Sequence, residues 1–130
     1  MHVTLLTAGS RGDVQPYVAL GIGLREAGHT VRVAAPVPYE TLVREHGLEF
    51  APTAQALGAL TSGASWQRWQ ESGDNLAGFL WGALGAARAT GAVIESLIDD
   101  YWAASQGTDV IISSSSSIAG PLLAEALGVP

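Results

Sequence analysis

Three side chains of different chemistry fall close together near the start of the chain. They are the hydroxyl of Ser10, the guanidinium of Arg11 and the carboxylate of Asp13, in the run Ala8-Gly9-Ser10-Arg11-Gly12-Asp13-Val14-Gln15-Pro16. A guanidinium suits charge-assisted bonds to phosphate or carboxylate. Asp13 has two readings. As a first-turn carboxylate it stabilises the helix that follows. As a general base it takes the proton from a hydroxyl that attacks an electrophile. A solvated carboxylate is a weak base for an alcohol, and a helix dipole weakens it further, whereas burial strengthens it. The second reading therefore needs a dry, substrate-filled crevice.

Such a crevice requires elements that aim the loop. Val3 to Thr7 reads as a short buried strand, apolar and β-branched, with turn residues directly after it. A helix from about Val14 to Ala27 follows, with Pro16 in its first turn, Val18, Leu20, Ile22, Leu24 and Ala27 at helical spacing, and Gly28 as its stop. Thr30 to Ala35 is a second strand, Pro38 to His46 a short helix, and Leu48 to Ala51 a third strand that Pro52 is expected to terminate. This β-α-β-α-β order predicts an α/β fold with a doubly wound parallel sheet. In such a sheet the loop after a strand faces the crevice where ligands bind, and the helix N-terminus beyond it favours anions.

From Thr53 to Asp74 the pattern dissolves into small and polar residues around Trp66 and Trp69, a stretch too long for a plain connector. A long helix is expected over about Asn75 to Ala104, burying a face that includes Ile94, Ile98 and Tyr101. Its glycines weaken it. Asp109 to Ile112 is a fourth strand, Ser113 to Ser117 a strand-to-helix loop, and Ile118 to Leu127 a further helix. Gly128-Val129-Pro130 reads as the lead into another strand, so the half-sheet looks interrupted within its domain.

Composition narrows the function. The chain has 130 residues, 48% of them hydrophobic and 14% charged, a composition that fits one globular domain. A net charge of −6, with six scattered arginines and no lysine, provides no basic stripe and argues against nucleic acid. Without cysteine there is neither a disulfide framework nor a thiolate metal site. No apolar run approaches the roughly 20 residues of a membrane span, and no signal peptide is visible, so the expected location is the cytoplasm. The turn lacks the G-x-G-x-x-G spacing and strand two lacks a terminal acid, which disfavours NAD or FAD. The absence of lysine excludes a phosphate-binding Walker loop.

The residues Gly9-Ser10-Arg11-Gly12-Asp13-Val14-Gln15-Pro16, with Val18-Ala19-Leu20, Leu24, Ala27-Gly28-His29 and Val31, resemble the N-terminal motif of GT-B glycosyltransferases. The subgroup they look most like acts on sterols, glycopeptide antibiotics and other natural products. Gly47-Leu48-Glu49-Phe50 and the stretch from Asp109 to Pro130 are similar to it as well. The resemblance implies a Rossmann-like acceptor-binding domain that works with a C-terminal domain binding a nucleoside-diphosphate sugar. It also implies inverting transfer with no metal and no cofactor beyond that co-substrate. It gives Asp13 the role of base, since this loop has no histidine, and has Gly9, Ser10, Arg11 and Gly12 border the donor diphosphate or hold the loop. The donor-binding domain is absent from these 130 residues, so the piece alone is expected to be inactive, its other half lying in cis or on a separate chain. The competing reading is a non-catalytic module that binds a small ligand or a partner subunit.

Other residues weigh less. Trp66 and Trp69 lie three apart and can wall a flat acceptor or pack their own segment. Ser114 and Ser115 can offer hydroxyls to the acceptor or form a solvated turn. Phe79 and Trp81 suit helix packing. His2, His29 and His46 sit at element ends without metal-ligand spacing. Asp99 and Asp100 are expected on a solvated face. Arg11-Gly12-Asp13 spells an adhesion tripeptide, but its strand–turn–helix setting argues against that use.

Overall fold

The computed structural model describes residues 1–54, 91–114, 117 and 119–130. Four parallel strands form one sheet: β1 (His2–Leu6), β2 (Thr30–Pro36), β3 (Glu49–Thr53) and β4 (Val110–Ser113). Their spatial order is β3-β2-β1-β4. The helices are α1 (Arg11–Glu26), α2 (Glu40–Glu45, entered through a 3-10 turn at Val37–Tyr39), α3 (described over 91–104) and α4 (Gly120–Leu127). The predicted doubly wound α/β sheet is thus present. Strand order reverses direction between β1 and β4, and at such a switch point the two loops diverge to opposite faces and leave a crevice.

Strand period two sorts β1 between two cores. Val3 and Leu5 join Val14 and Val18 of α1, Val31 and Val33 of β2, Val43 of α2 and Leu48 in one cluster. Leu6 turns to the other face and joins Ala34 with Tyr101 and Ala104 of α3 and Leu123 of α4. β1 is therefore covered on both sides, so that its apolar residues Val3, Leu5 and Leu6 are all buried although they point to opposite faces.

Several boundaries differ from the sequence reading. Helix α1 begins at Arg11, three residues before Val14, because Ser10 is extended and caps it. Its apolar series does not point wholly inward: Leu20 is exposed, while Val14, Val18 and Gly21 are buried. Pro52 does not stop β3 but pairs with Ala35, as a sheet edge permits. On α3 the face bearing Ile94 and Ile98 is 48% and 40% exposed. The inward stripe is the neighbouring one, Leu97, Tyr101 and Ala104. The predicted helix before residue 91, and Phe79 and Trp81 within it, lie outside the described residues.

Gly21 lets α1 approach the sheet. A Cβ there would meet Leu48 Cδ1 at 2.8 Å and Leu5 Cδ1 and Val31 Cγ1 at 3.4 Å. Gly21→Leu is expected to lose about 1–3 kcal/mol in urea denaturation through overpacking. Gly21→Ala should lose far less, since Leu48 ends in a movable methyl and alanine favours the helix by roughly 1 kcal/mol.

Candidate functional site

The loop after β1 is built around one glycine. Gly9 has φ +104°, a conformation costly to any residue with a Cβ. It turns the chain from the buried Ala8 into the extended Ser10, from which α1 starts. Asp13, the third helical residue, folds back over this turn. Its Oδ2 accepts a hydrogen bond from the Ser10 N–H at 2.8 Å and another from the Ser10 hydroxyl at 2.9 Å. A Cβ on Gly9 would lie 2.5 Å from that same oxygen. The carboxylate thus sits where only a glycine leaves room for it.

These contacts set its charge state. The Ser10 N–H, then the Ser10 hydroxyl, hold the Asp13 carboxyl below the usual carboxylate range, against a weaker opposing effect of desolvation. Asp13 is thereby ionised throughout the neutral range. Because the folded-state pKa is depressed, its stabilising effect is present above the unfolded-state pKa and is lost as pH falls through the folded one. Oδ1 takes no hydrogen bond among the described residues. One oxygen is fixed and the other is open to a ligand.

Ser10, Arg11, Gly12 and Asp13 are all exposed. Arg11 makes no ion pair among the described residues. It is the first helical residue and Gly12 the second, so their N–H groups belong to the open, positive end of α1. The loop therefore gathers a carboxylate, a guanidinium and helix-end donors on one open surface. The first reading of Asp13, a carboxylate tying down its own helix, is realised in the Ser10 contacts. The dry crevice required by the second is not formed by the described residues alone.

The serine loop lies across the switch point. Ser114 is buried, and its N–H donates to the Leu6 carbonyl at 2.9 Å, tying this loop to β1. Ser117 is also buried, its hydroxyl donating to the Tyr101 hydroxyl at 2.7 Å. At both described positions the loop is inward, not a solvated turn. Tyr17 of α1 reaches toward it, donating to the Ser113 carbonyl at 3.4 Å. Trp66, Trp69 and Ser115 lie outside the described residues.

Two residues gain roles that sequence reasoning missed. Asp100, expected on a solvated face, accepts the N–H of Ala54 at 2.8 Å and so ties the end of β3 to α3. Tyr101, expected only to pack, is fully buried and donates its hydroxyl to the Thr7 carbonyl at 2.9 Å. Burial pushes the Tyr101 hydroxyl above its ordinary pKa, and the Asp100 charge adds to this against the Ser117 hydrogen bond, so it stays a donor. Among the histidines, His2 and His46 use Nδ1 on backbone carbonyls, those of Gly107 and Leu42. Among the described residues no three acidic or histidine side chains converge as a metal ion would need. No described helix is long and apolar enough to cross a membrane.

Comparison with known proteins extends this picture. The glycosyltransferase family 28 N-terminal domain matches residues 3–130. The sterol 3-beta-glucosyltransferase of Debaryomyces hansenii is 41% identical over 129 residues, covering 99% of this chain and 8% of that protein. The enzyme of the same name from Aspergillus oryzae is 38% identical over 130 residues, covering 100% of this chain and 9% of that protein. The chain thus spans less than a tenth of the length of these relatives. Among solved structures, the Streptomyces sp. SF2575 glycosyltransferase SsfS6 superposes with a TM-score of 0.67 at 28% identity, over 100% of this chain and 38% of that one. A second crystal structure of SsfS6 holds thymidine diphosphate.

Proposed function

This chain belongs to the glycosyltransferase family 28 N-terminal domains, and we propose that it is the acceptor-side half of an inverting glycosyltransferase. Its other half is a donor-binding domain, in cis or on a second chain, carrying a nucleoside-diphosphate sugar. The acceptor is a hydroxyl of a lipophilic, sterol-like or natural-product molecule. The names of the relatives and the thymidine diphosphate in SsfS6 support this choice of substrate classes. The observation that carries the reading is the Asp13 carboxylate at the β1 exit, one oxygen held by Ser10 and the other free. Family membership favours the enzyme over a stand-alone binding module, and the reaction belongs in the cytoplasm.

In the step we infer, Asp13 takes the proton of the acceptor hydroxyl. The acceptor oxygen bonds to the anomeric carbon from the face opposite the leaving group. The bond from that carbon to the diphosphate oxygen breaks, and the nucleoside diphosphate departs with its electron pair. Gly9 and Ser10 shape the loop, while Arg11 and the Arg11 and Gly12 N–H groups stand ready for the developing negative charge. Such donors replace a cation, so no metal or other cofactor is invoked. Closure of the donor domain over the exposed loop expels water, which raises the basicity of Asp13 and strengthens Arg11. Trp66, Trp69, Ser114 and Ser115 are retained as the acceptor side.

The test joins this domain to its donor-binding domain and supplies nucleotide sugars with sterol and polyketide alcohols. Transfer to a hydroxyl with inverted anomeric configuration by NMR is the expected result. A retained configuration, or no transfer across the panel, would defeat the proposal. The pH profile adds a check on the loop. Ser10→Ala removes the hydroxyl bond to Asp13 but leaves the backbone one, so the acid limb of kcat/KM should move partway toward higher pH.

A further inference from the structure

Helix α3 sets two consecutive polar side chains against the strand ends, and the second of them spans the switch point. The Tyr101 hydroxyl donates to the Thr7 carbonyl at 2.9 Å and accepts from the Ser117 hydroxyl at 2.7 Å. Thr7 is the residue after β1 and leads through Ala8 into Gly9. It is itself clamped to β2, since its N–H and hydroxyl both donate to the Ala34 carbonyl, at 3.0 and 2.8 Å. Ser117 belongs to the loop after β4, the strand that lies beside β1. A single phenol oxygen thus joins the root of the Asp13 loop to the serine loop.

Packing does not need that oxygen. The ring lies with Leu6, Ala34, Ala104 and Leu123, and a phenylalanine ring fills the same space. What the oxygen adds is a side-chain link of fixed length between two loops that the Ser114 to Leu6 backbone bond and the Tyr17 contact also join. We propose that Tyr101 is a positioning residue for sugar transfer, holding the Asp13 loop and the serine loop at the separation that the reacting acceptor requires. The inference rests on the glycosyltransferase reading above. It takes nothing from Asp13 being the base.

Kinetics of the two-domain enzyme test it. Tyr101→Phe is expected to fold and to lose roughly 10- to 100-fold in kcat, the scale of an ångström-level misplacement, with KM for both substrates nearly unchanged. Ser117→Ala should lose a smaller factor because the Thr7 bond survives, and Ser117→Thr, which keeps the hydroxyl, should restore it. Wild-type kcat in folded Tyr101→Phe, or a raised KM with kcat intact, overturns the proposal. Should Tyr101→Phe fail to fold, the serine pair decides, and equal kcat for Ser117→Ala and Ser117→Thr overturns it. Full turnover in Asp13→Asn would remove the base and leave the Tyr101 result standing or falling by itself.

Discussion

Asp13→Asn in the two-domain enzyme should lower kcat by about 10²–10⁴-fold, the range a positioned base contributes. Acceptor binding should stay near the wild-type level. Asparagine keeps the size of the side chain and can still accept from Ser10, so the loop geometry survives while the proton acceptor is gone. Single-turnover kinetics with direct acceptor titration separates the two effects. An Asp13→Asn enzyme that turns over at nearly the wild-type rate would reduce the Ser10–Asp13 contact to a helix cap. The acid limb offers a second view of the same group. The Ser10 contacts hold the Asp13 pKa down in the open domain, so the uncomplexed domain should titrate this carboxyl below the ordinary range by carbon-13 NMR. Desolvation in the proposed complex with substrate would act in the opposite direction.

The second large effect is expected at Gly9. Gly9→Ala puts a methyl 2.5 Å from Asp13 Oδ2 and demands a positive φ from a residue that resists it. The carboxylate must swing away or the turn must open, and either one breaks the hydrogen bonds from Ser10. Turnover should fall nearly as far as in Asp13→Asn. The cause differs, and so does the signature. Gly9→Ala should also lower the melting temperature further than Asp13→Asn does, because it adds a backbone cost of about 1–3 kcal/mol to the loss of the ionised cap. A Gly9→Ala enzyme with normal kcat would mean that Asp13 need not occupy this position.

The site loop was legible in the sequence because its chemistry is local. Ser10, Arg11 and Asp13 are neighbours in the chain, and a strand followed by a turn and a helix is enough to set them at the sheet's mouth. The order of elements was legible for the same reason. What could not be read was whatever depends on which strand lies beside which. Pro52 looked like a terminator because nothing local marks β3 as an edge. Asp100 looked solvated because its partner, Ala54, is brought near only by the crossover from β3 to β4. On α3 two apolar stripes run side by side, one through Ile94 and Ile98 and one through Leu97 and Tyr101. Helical periodicity alone gives no reason to prefer either. The start of α1 at Arg11 is marked by Ser10 followed three residues on by an acid, a recognised helix opening, and is obscured by Gly12, which disfavours a helix.

The position of β1 in the sheet has a consequence for how the protein is made. β1, β2 and β3 pair through short crossovers, and all three lie between residues 2 and 53. β4 joins β1 only across a separation of 107 residues, as the His2 to Asp109 hydrogen bond measures it. Closing so long an interval is entropically slow, and in vectorial synthesis it must wait for the later part of the chain. The Asp13 loop is therefore synthesised before β4 and the serine loop that follows it.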